Sequence, residues 1–390
     1  MRTVVTAEKL WDGARLLHHP ILTVEDGRIL SISTRDDAEV PSNSKALDFL
    51  GATLSPSFFD VHTHGASGHD VMEATPAALD SIGRFLASRG TGAYLATTVT
   101  APVDDTLRAL SGLARLLNQP ADNAPFARPI GIHLEGPFLS HLKRGVHPPE
   151  HLQPAGIALF DRFYDAAEGH VRLMTLAPEL AGAPELAAHA TLRGVRVSVG
   201  HSNATAAETR AVIAAGAVSA THTFNAMRPL DHREPGILGV ALSEDALYAE
   251  LICDGIHTTP EIVRIWSRCK GAHRAILVTD AMSATGMPDG DYRLGGLTVT
   301  VAKGRATSGG VLAGSVLTLD RALANFLRFT GSPLEHGLRL LTANPAALIG
   351  VSGLPGLAAG HLAPGLPANF VAVNPDGTLA ASFLHGQTAA

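Results

Sequence analysis

This chain of 390 residues has only two cysteines, Cys253 and Cys269, and no Cys-x-x-Cys spacing. That excludes a disulfide framework and leaves reduced thiols in a cytoplasmic setting as the simple expectation. Long apolar runs are missing too. No segment reaches the ~18 uninterrupted apolar residues of a membrane span, and the N-terminal segment Met1-Arg-Thr-Val-Val-Thr-Ala-Glu-Lys-Leu carries charges too early for a signal peptide. Cations are not in excess. Lys and Arg number 30 against 36 Asp and Glu, a net charge of -6, which offers no basic face to nucleic acid but still permits a local Arg or Lys site for a small anion. Low-complexity tracts are absent, and 46% hydrophobic with 17% charged residues is the composition of a folded soluble enzyme with a substantial core.

What the chain does have is histidine, 19 in all. The segment Leu54-Ser-Pro-Ser-Phe-Phe-Asp60-Val-His62-Thr-His64-Gly65 ends an apolar run with two imidazoles. Alternate residues of a strand face the same way, so His62 and His64 are able to reach one ion while Val61 and Thr63 pack. Such a pair alone is moderate grounds for a metal, because surface and core histidines are common.

The two ends of the chain read alike. Asp26-Gly27 and Asp376-Gly377 each stand between apolar β-rich runs, a hairpin pattern. Residues 1–55 together with 356–390 are therefore expected to build one small β-sandwich domain from both termini. Residues 56–355 differ. Eight apolar runs, Ser57 to Val61, Ala93 to Val99, Ile130 to Leu134, Val171 to Leu176, Val195 to Val199, Ala217 to Thr221, Leu247 to Ile252 and Ala275 to Thr279, alternate with amphipathic stretches such as Pro76 to Arg89 and Pro260 to Lys270. This predicts a (β/α)8 TIM barrel. An open doubly wound sheet is the alternative, but no Gly-x-Gly-x-x-Gly turn follows the first strand. A Gly-rich insertion, Gly286 to Gly314, is expected to form a hairpin or an active-site loop.

Barrel enzymes place their chemistry at the C-terminal ends of the strands. Those ends carry His62 and His64, then His133-Leu-Glu135, His201, His222, Asp254 with His257, and Asp280. One strand-end histidine is more often merely satisfied; a series of His, Glu and Asp at successive ends is a donor set for a divalent cation such as Zn²⁺ or Fe²⁺, with Co²⁺ and Mn²⁺ also compatible. A carboxylate beside a metal-activated water must take its proton, and Asp280 at the last strand suits that role.

The ordered segments His133-Leu-Glu135-Gly136-Pro137-Phe138, Gly200-His201-Ser202, Thr221-His222-Thr-Phe-Asn225-Ala226-Met227, Arg233-Glu-Pro-Gly236, Asp254-Gly255-Ile256-His257, Thr279-Asp280-Ala281 and Leu312-Ala313-Gly314-Ser315 resemble the N-acetylglucosamine-6-phosphate deacetylases of the amidohydrolase superfamily. The resemblance implies hydrolysis of the acetamide of an amino sugar phosphate. It implies a metal, Zn²⁺ first, held by Glu135, His201 and His222, with Asp280 as acid and base and His147 polarising the carbonyl. It further implies substrate contacts from Val146, His147, Asn225, Ala226, Arg233, Asp254, Gly255, Ile256, His257, Leu312, Ala313 and Gly314, and a homodimer. Arg233 offers a planar fork of donors for the phosphate; Lys143 and Arg144 are a further option for it, though they read first as a charged, solvated loop. Strand 4 lacks the carboxylated lysine of hydantoinase-like relatives, so Glu135 must supply that oxygen. His62 and His64 permit a second ion. Two alternatives remain open at this point: a different amidohydrolase acting on a neutral or cyclic amide, and a non-catalytic relative that keeps the barrel as a scaffold.

Overall fold

The computed structural model describes residues 2–37, 44–119, 124–351 and 359–389. Eight parallel strands occupy the expected runs: β1 (Phe58–Thr63), β2 (Thr91–Thr98), β3 (Arg128–Glu135), β4 (Val171–Leu176), β5 (Arg196–Val199), β6 (Ala217–Ala220), β7 (Tyr248–Ile252) and β8 (Ala275–Val278). Each pairs with the next in chain order. A helix follows every strand: α1 (Pro76–Ser88), α2 (Val103–Leu117), α3 (Ile157–Ala166), α4 (Ala183–Leu192), α5 (Ala206–Ala214), α6 (Gly236–Ser243), α7 (Pro260–Arg274) and α8 (Leu319–Thr330). This is a (β/α)8 barrel.

Local chemistry explains the helices. Thr75 accepts the N–H of Ala78 just before Pro76, and Thr205 with Glu208 forms a reciprocal capping box, so α1 and α5 start where their first orphan donors are satisfied. In α8, Leu319, Ala322, Leu323, Phe326 and Leu327 repeat at helical spacing and are buried against β7 and β8. Burying a side chain such as Leu323 or Phe326 stabilises by about 1.5–3 kcal/mol, so Leu323→Asp would unseat this helix.

No strand ladder joins β8 to β1 among the described residues. Individual bonds close that seam instead. Asp280 donates its N–H to the His62 carbonyl at 2.9 Å, His64 donates to Ala281 at 2.7 Å, and the Asp60 carboxylate accepts the Thr279 hydroxyl at 2.6 Å.

Both ends of the chain contribute to one further eight-stranded sheet, in which Lys45–Pro56 lies between strand Arg2–Trp11 and strand Phe370–Val373. It has its own core around Leu10, Leu22, Leu54 and Phe370. The expected boundary between residues 355 and 356 lies outside the described residues. The Gly-rich insertion after β8 is a small antiparallel sheet of four strands, Gly290–Leu294, Leu297–Ala302, Arg305–Ser308 and Val311–Leu312, which brings Leu294 and Leu312 to the barrel mouth.

Candidate active site

The strand-end residues converge, and the backbone bends sharply to let them do so. His201, His222 and Asp280 have φ of 46°, 25° and 50°. A non-glycine residue in this region costs about 1–3 kcal/mol and persists only where its surroundings over-determine it. Here they do: Ser140 donates to the His201 carbonyl at 3.0 Å, Asn225 to that of His222 at 3.0 Å and Ser315 to that of Asp280 at 2.7 Å. Gly136, with φ 91°, follows Glu135, and a Cβ there would overlap the Thr100 hydroxyl.

Glu135 is the hub. Its Oε1 lies 3.2 Å from His201 Nε2, 3.0 Å from His222 Nε2 and 3.3 Å from His62 Nε2, while its Oε2 lies 3.1 Å from His64 Nε2. Asp280 Oδ1 completes the group at 3.2 Å from His64 and 3.5 Å from His62. The second nitrogens decide which atoms carry lone pairs. Nδ1 of His64 faces the Thr97 carbonyl and Nδ1 of His201 the Lys143 carbonyl, both at 3.0 Å, and Nδ1 of His62 faces a carboxylate oxygen of Glu250 at 3.4 Å. Each acceptor calls for an N–H at Nδ1, which leaves the Nε2 lone pairs turned inward. His201 and His222 Nε2 then stand only 3.1 Å apart, and the buried Nε2 of His62 has no hydrogen-bond partner among the described residues. Lone pairs and carboxylate oxygens so crowded require protons or a cation between them. A divalent cation fits: Glu135, His201 and His222 form one donor set, and His62, His64, Glu135 and Asp280 form an adjacent one.

Without a cation, protons take its place. Burial by itself lowers an imidazole, but hydrogen bonds to Asp280 and Glu135 outweigh it and raise His64 to about 9, and the same carboxylates hold His62 well above its ordinary value. Burial conversely raises Asp280, yet the charge of His62 and the bond from His64 keep its carboxyl below the usual range. His147 behaves differently. Burial, then the neighbouring His201, push it down to about 3, and its Nδ1 accepts the Thr100 N–H at 3.4 Å beside the Thr100 hydroxyl at 2.8 Å. It is neutral, with Nε2–H turned toward Glu135 and the cavity.

A cavity of about 270 Å³ opens above this cluster. Val146, His147, Asn225, Ala226, His257, Leu312 and Gly314 line it, together with His64, Glu135, His201, His222 and Asp280. Other expected contacts are not brought to it. Asp254, Gly255 and Ile256 lie behind His257: both Asp254 oxygens are used, one on the N–H groups of Ile256 and His257, the other on His257 Nδ1 at 2.7 Å, so Asp254 aims the ring. Ala313 is fully buried within the small insertion core. Arg233 is exposed and does not line the cavity; Asp231 Oδ1 accepts its backbone N–H at 2.8 Å. Lys143, read from the sequence as solvated, instead lines the cavity.

Four residues have places that their sequence did not announce. His133 is not a donor at the mouth; it lies beneath the cluster, its Nε2 2.9 Å from the Thr175 hydroxyl, and burial, then the charge of His62, hold it well below its ordinary value. Glu179, after β4, braces the His201 loop by accepting from Ser202 at 2.7 Å and Asn203 at 2.6 Å. Glu250 and Asp60 are wholly buried mid-strand acids. Alternation within β1 and β7 points them inward, and that was the only available signal.

Residues 53–389 match the Amidohydrolase family. The chain is 36% identical to an N-acetylgalactosamine-6-phosphate deacetylase of Escherichia coli O157:H7 over the full length of both. It is 34% identical to an N-acetylglucosamine-6-phosphate deacetylase of Vibrio furnissii over 98% of this chain and 93% of that one. Among solved structures, a mutant N-acetyl-D-glucosamine-6-phosphate deacetylase from Mycobacterium smegmatis in complex with N-acetyl-D-glucosamine-6-phosphate superimposes with a TM-score of 0.90 at 36% identity, covering 100% of this chain and 99% of the other. Barrel, strand-end donors and full-length similarity agree, and the chain belongs to the amidohydrolase family.

Proposed function

We propose that the protein removes the acetyl group of N-acetylglucosamine 6-phosphate, yielding glucosamine 6-phosphate and acetate. The observation that carries this reading is the meeting of Glu135, His201 and His222 around one point, with Asp280 and the neutral His147 beside it under a cavity suited to a small molecule. Glu135, His201 and His222 would hold a divalent ion, Zn²⁺ by preference for two imidazoles and a carboxylate, and His62 with His64 would help hold a second. A cation bound there supplies Lewis acidity and lowers the pKa of water from about 15.7 to about 7.

The chain's own groups do the rest. His147 Nε2–H donates to the acetamide oxygen, where negative charge develops. Asp280 takes a proton from the attacking water and returns it to the amide nitrogen as the C–N bond breaks, so one carboxylate serves as base and then acid. Lys143 and His257, which line the cavity wall, would meet the phosphate.

A second reading concerns the epimer: similarity to the Escherichia coli relative over the whole chain favours N-acetylgalactosamine 6-phosphate as a further substrate. The protein is also proposed to be a cytoplasmic homodimer, in which the exposed Arg233 serves the phosphate site of the other subunit. Acetate release from N-acetylated glucosamine and galactosamine, each with and without the 6-phosphate, on protein of measured metal content tests the assignment. Turnover only of unphosphorylated sugars, or none with metal bound, would reject it.

A further inference from the structure

Glu250 stands on β7 with its side chain fully buried inside the barrel. Its Oε2 lies 3.4 Å from His62 Nδ1 and 3.5 Å from the backbone N–H of His222, and its Oε1 has no partner among the described residues. Its backbone carbonyl accepts the N–H of Thr223 at 2.8 Å, which ties β7 to the turn that presents His222. A buried carboxylate used only for packing is costly, and an apolar residue of similar size would serve better. Something must be gained from it.

The comparison among the imidazoles shows what. His64 and His201 rest their Nδ1 on backbone carbonyls, which no substitution removes, and His222 Nδ1 has no partner among the described residues. Of the four imidazoles in the two donor sets, His62 alone rests on a side chain among the described residues. Were that acceptor lost, nothing would hold the proton on Nδ1, and the ring would be free to place it on Nε2, toward Glu135 and Asp280, where a lone pair is needed.

We propose that Glu250 is a positioning residue that fixes the Nδ1–H tautomer and ring orientation of His62, and thereby sets the affinity of the second cation site. This rests on the reading that His62 and His64 help hold a second ion. The test titrates metal-free protein with Zn²⁺ and counts bound equivalents and their affinities, alongside thermal unfolding. Wild type should bind two equivalents. Glu250→Leu should weaken the second by about 10–100-fold and leave the first unchanged, whereas Glu250→Gln, which keeps a carbonyl acceptor, should stay within about threefold of wild type. An unchanged second equivalent in Glu250→Leu overturns the proposal, as does a Gln variant as weak as the Leu variant. Wild type binding a single equivalent overturns the two-ion reading itself. Should Glu250→Leu fail to fold, Glu250→Asp, whose shorter side chain withdraws the acceptor from His62 Nδ1, takes its place: a second equivalent weakened about 10-fold or more supports the assignment, and an unchanged one overturns it.

Discussion

Asp60 on β1 accepts the hydroxyl of Thr279 at 2.6 Å and its backbone N–H at 3.4 Å, bonding across the seam where β8 meets β1 without a ladder. Asp280 is the next residue, so the bond that closes the barrel also sets the origin of the proposed acid and base. The two ends of the eight-strand walk meet through this carboxylate, one layer below the chemistry.

Burial raises the Asp60 carboxyl from 3.8 to about 6, against the pull of its bonds to Thr279 and His62. The folded state therefore binds this proton more tightly than the unfolded chain does. Stability contributed by the group falls as pH rises from about 4 to about 6 and is level above that. Asp60→Asn lacks this dependence, so its unfolding free energy should gain on wild type across the same interval. Urea midpoints at pH 4, 5, 6 and 7 measure it, and a constant difference between the two proteins would exclude the assignment.

Asp280→Asn should lower kcat for acetate release by about 100- to 10,000-fold, the usual contribution of a positioned acid and base. The metal bound through Glu135, His201 and His222 should remain, as measured by elemental analysis. Near wild-type turnover would refute the role.

His147 is neutral and lines the cavity, where its proposed role is to donate to the acetamide oxygen. Replacing it by Ala should cost about 100- to 1,000-fold in kcat, as for other oxyanion donors, with metal content unchanged. Because its titration lies near pH 3, the pH profile of kcat/KM between pH 5 and 9 should keep its shape in the variant. A limb that disappears with His147 would instead assign it a protonation change during catalysis.

Arg233 lies outside its own cavity, and the proposed dimer would bring it to the neighbouring one. Arg233→Ala should raise KM for the phosphorylated sugar more than it lowers kcat. Mixed under conditions that exchange subunits, and assayed at substrate well below the KM of Arg233→Ala, Arg233→Ala and Asp280→Asn should show more activity than the two give separately. No gain despite exchange verified by mass would place Arg233 outside the phosphate site.

Barrel strands and donors were legible for a local reason. Each strand is a short apolar run, and barrel chemistry sits where such runs stop, so His62, His64, Glu135, His201, His222 and Asp280 could be read one by one along the chain. The Asp-Gly turns were legible likewise, since Asp26 and Gly27 take φ of 49° and 77° as a tight hairpin demands. Loop side chains were another matter. Lys143 lines the cavity and Arg233 does not, and no residue pattern along the chain distinguishes a charged loop residue that turns inward from one that turns outward.

The sequence by itself determined the fold, the order of the donors and the family, because apolar period, strand-end residue type and motif order are properties of neighbours along the chain. Only the tertiary structure decided who meets whom inside the barrel. Asp60 faces Thr279, His133 faces Thr175, and Glu250 lies beneath His62, between positions up to 219 residues apart. Alternation along a strand says that a side chain points inward; the tilt and stagger of eight strands, set by the closure of the whole sheet, choose its partner.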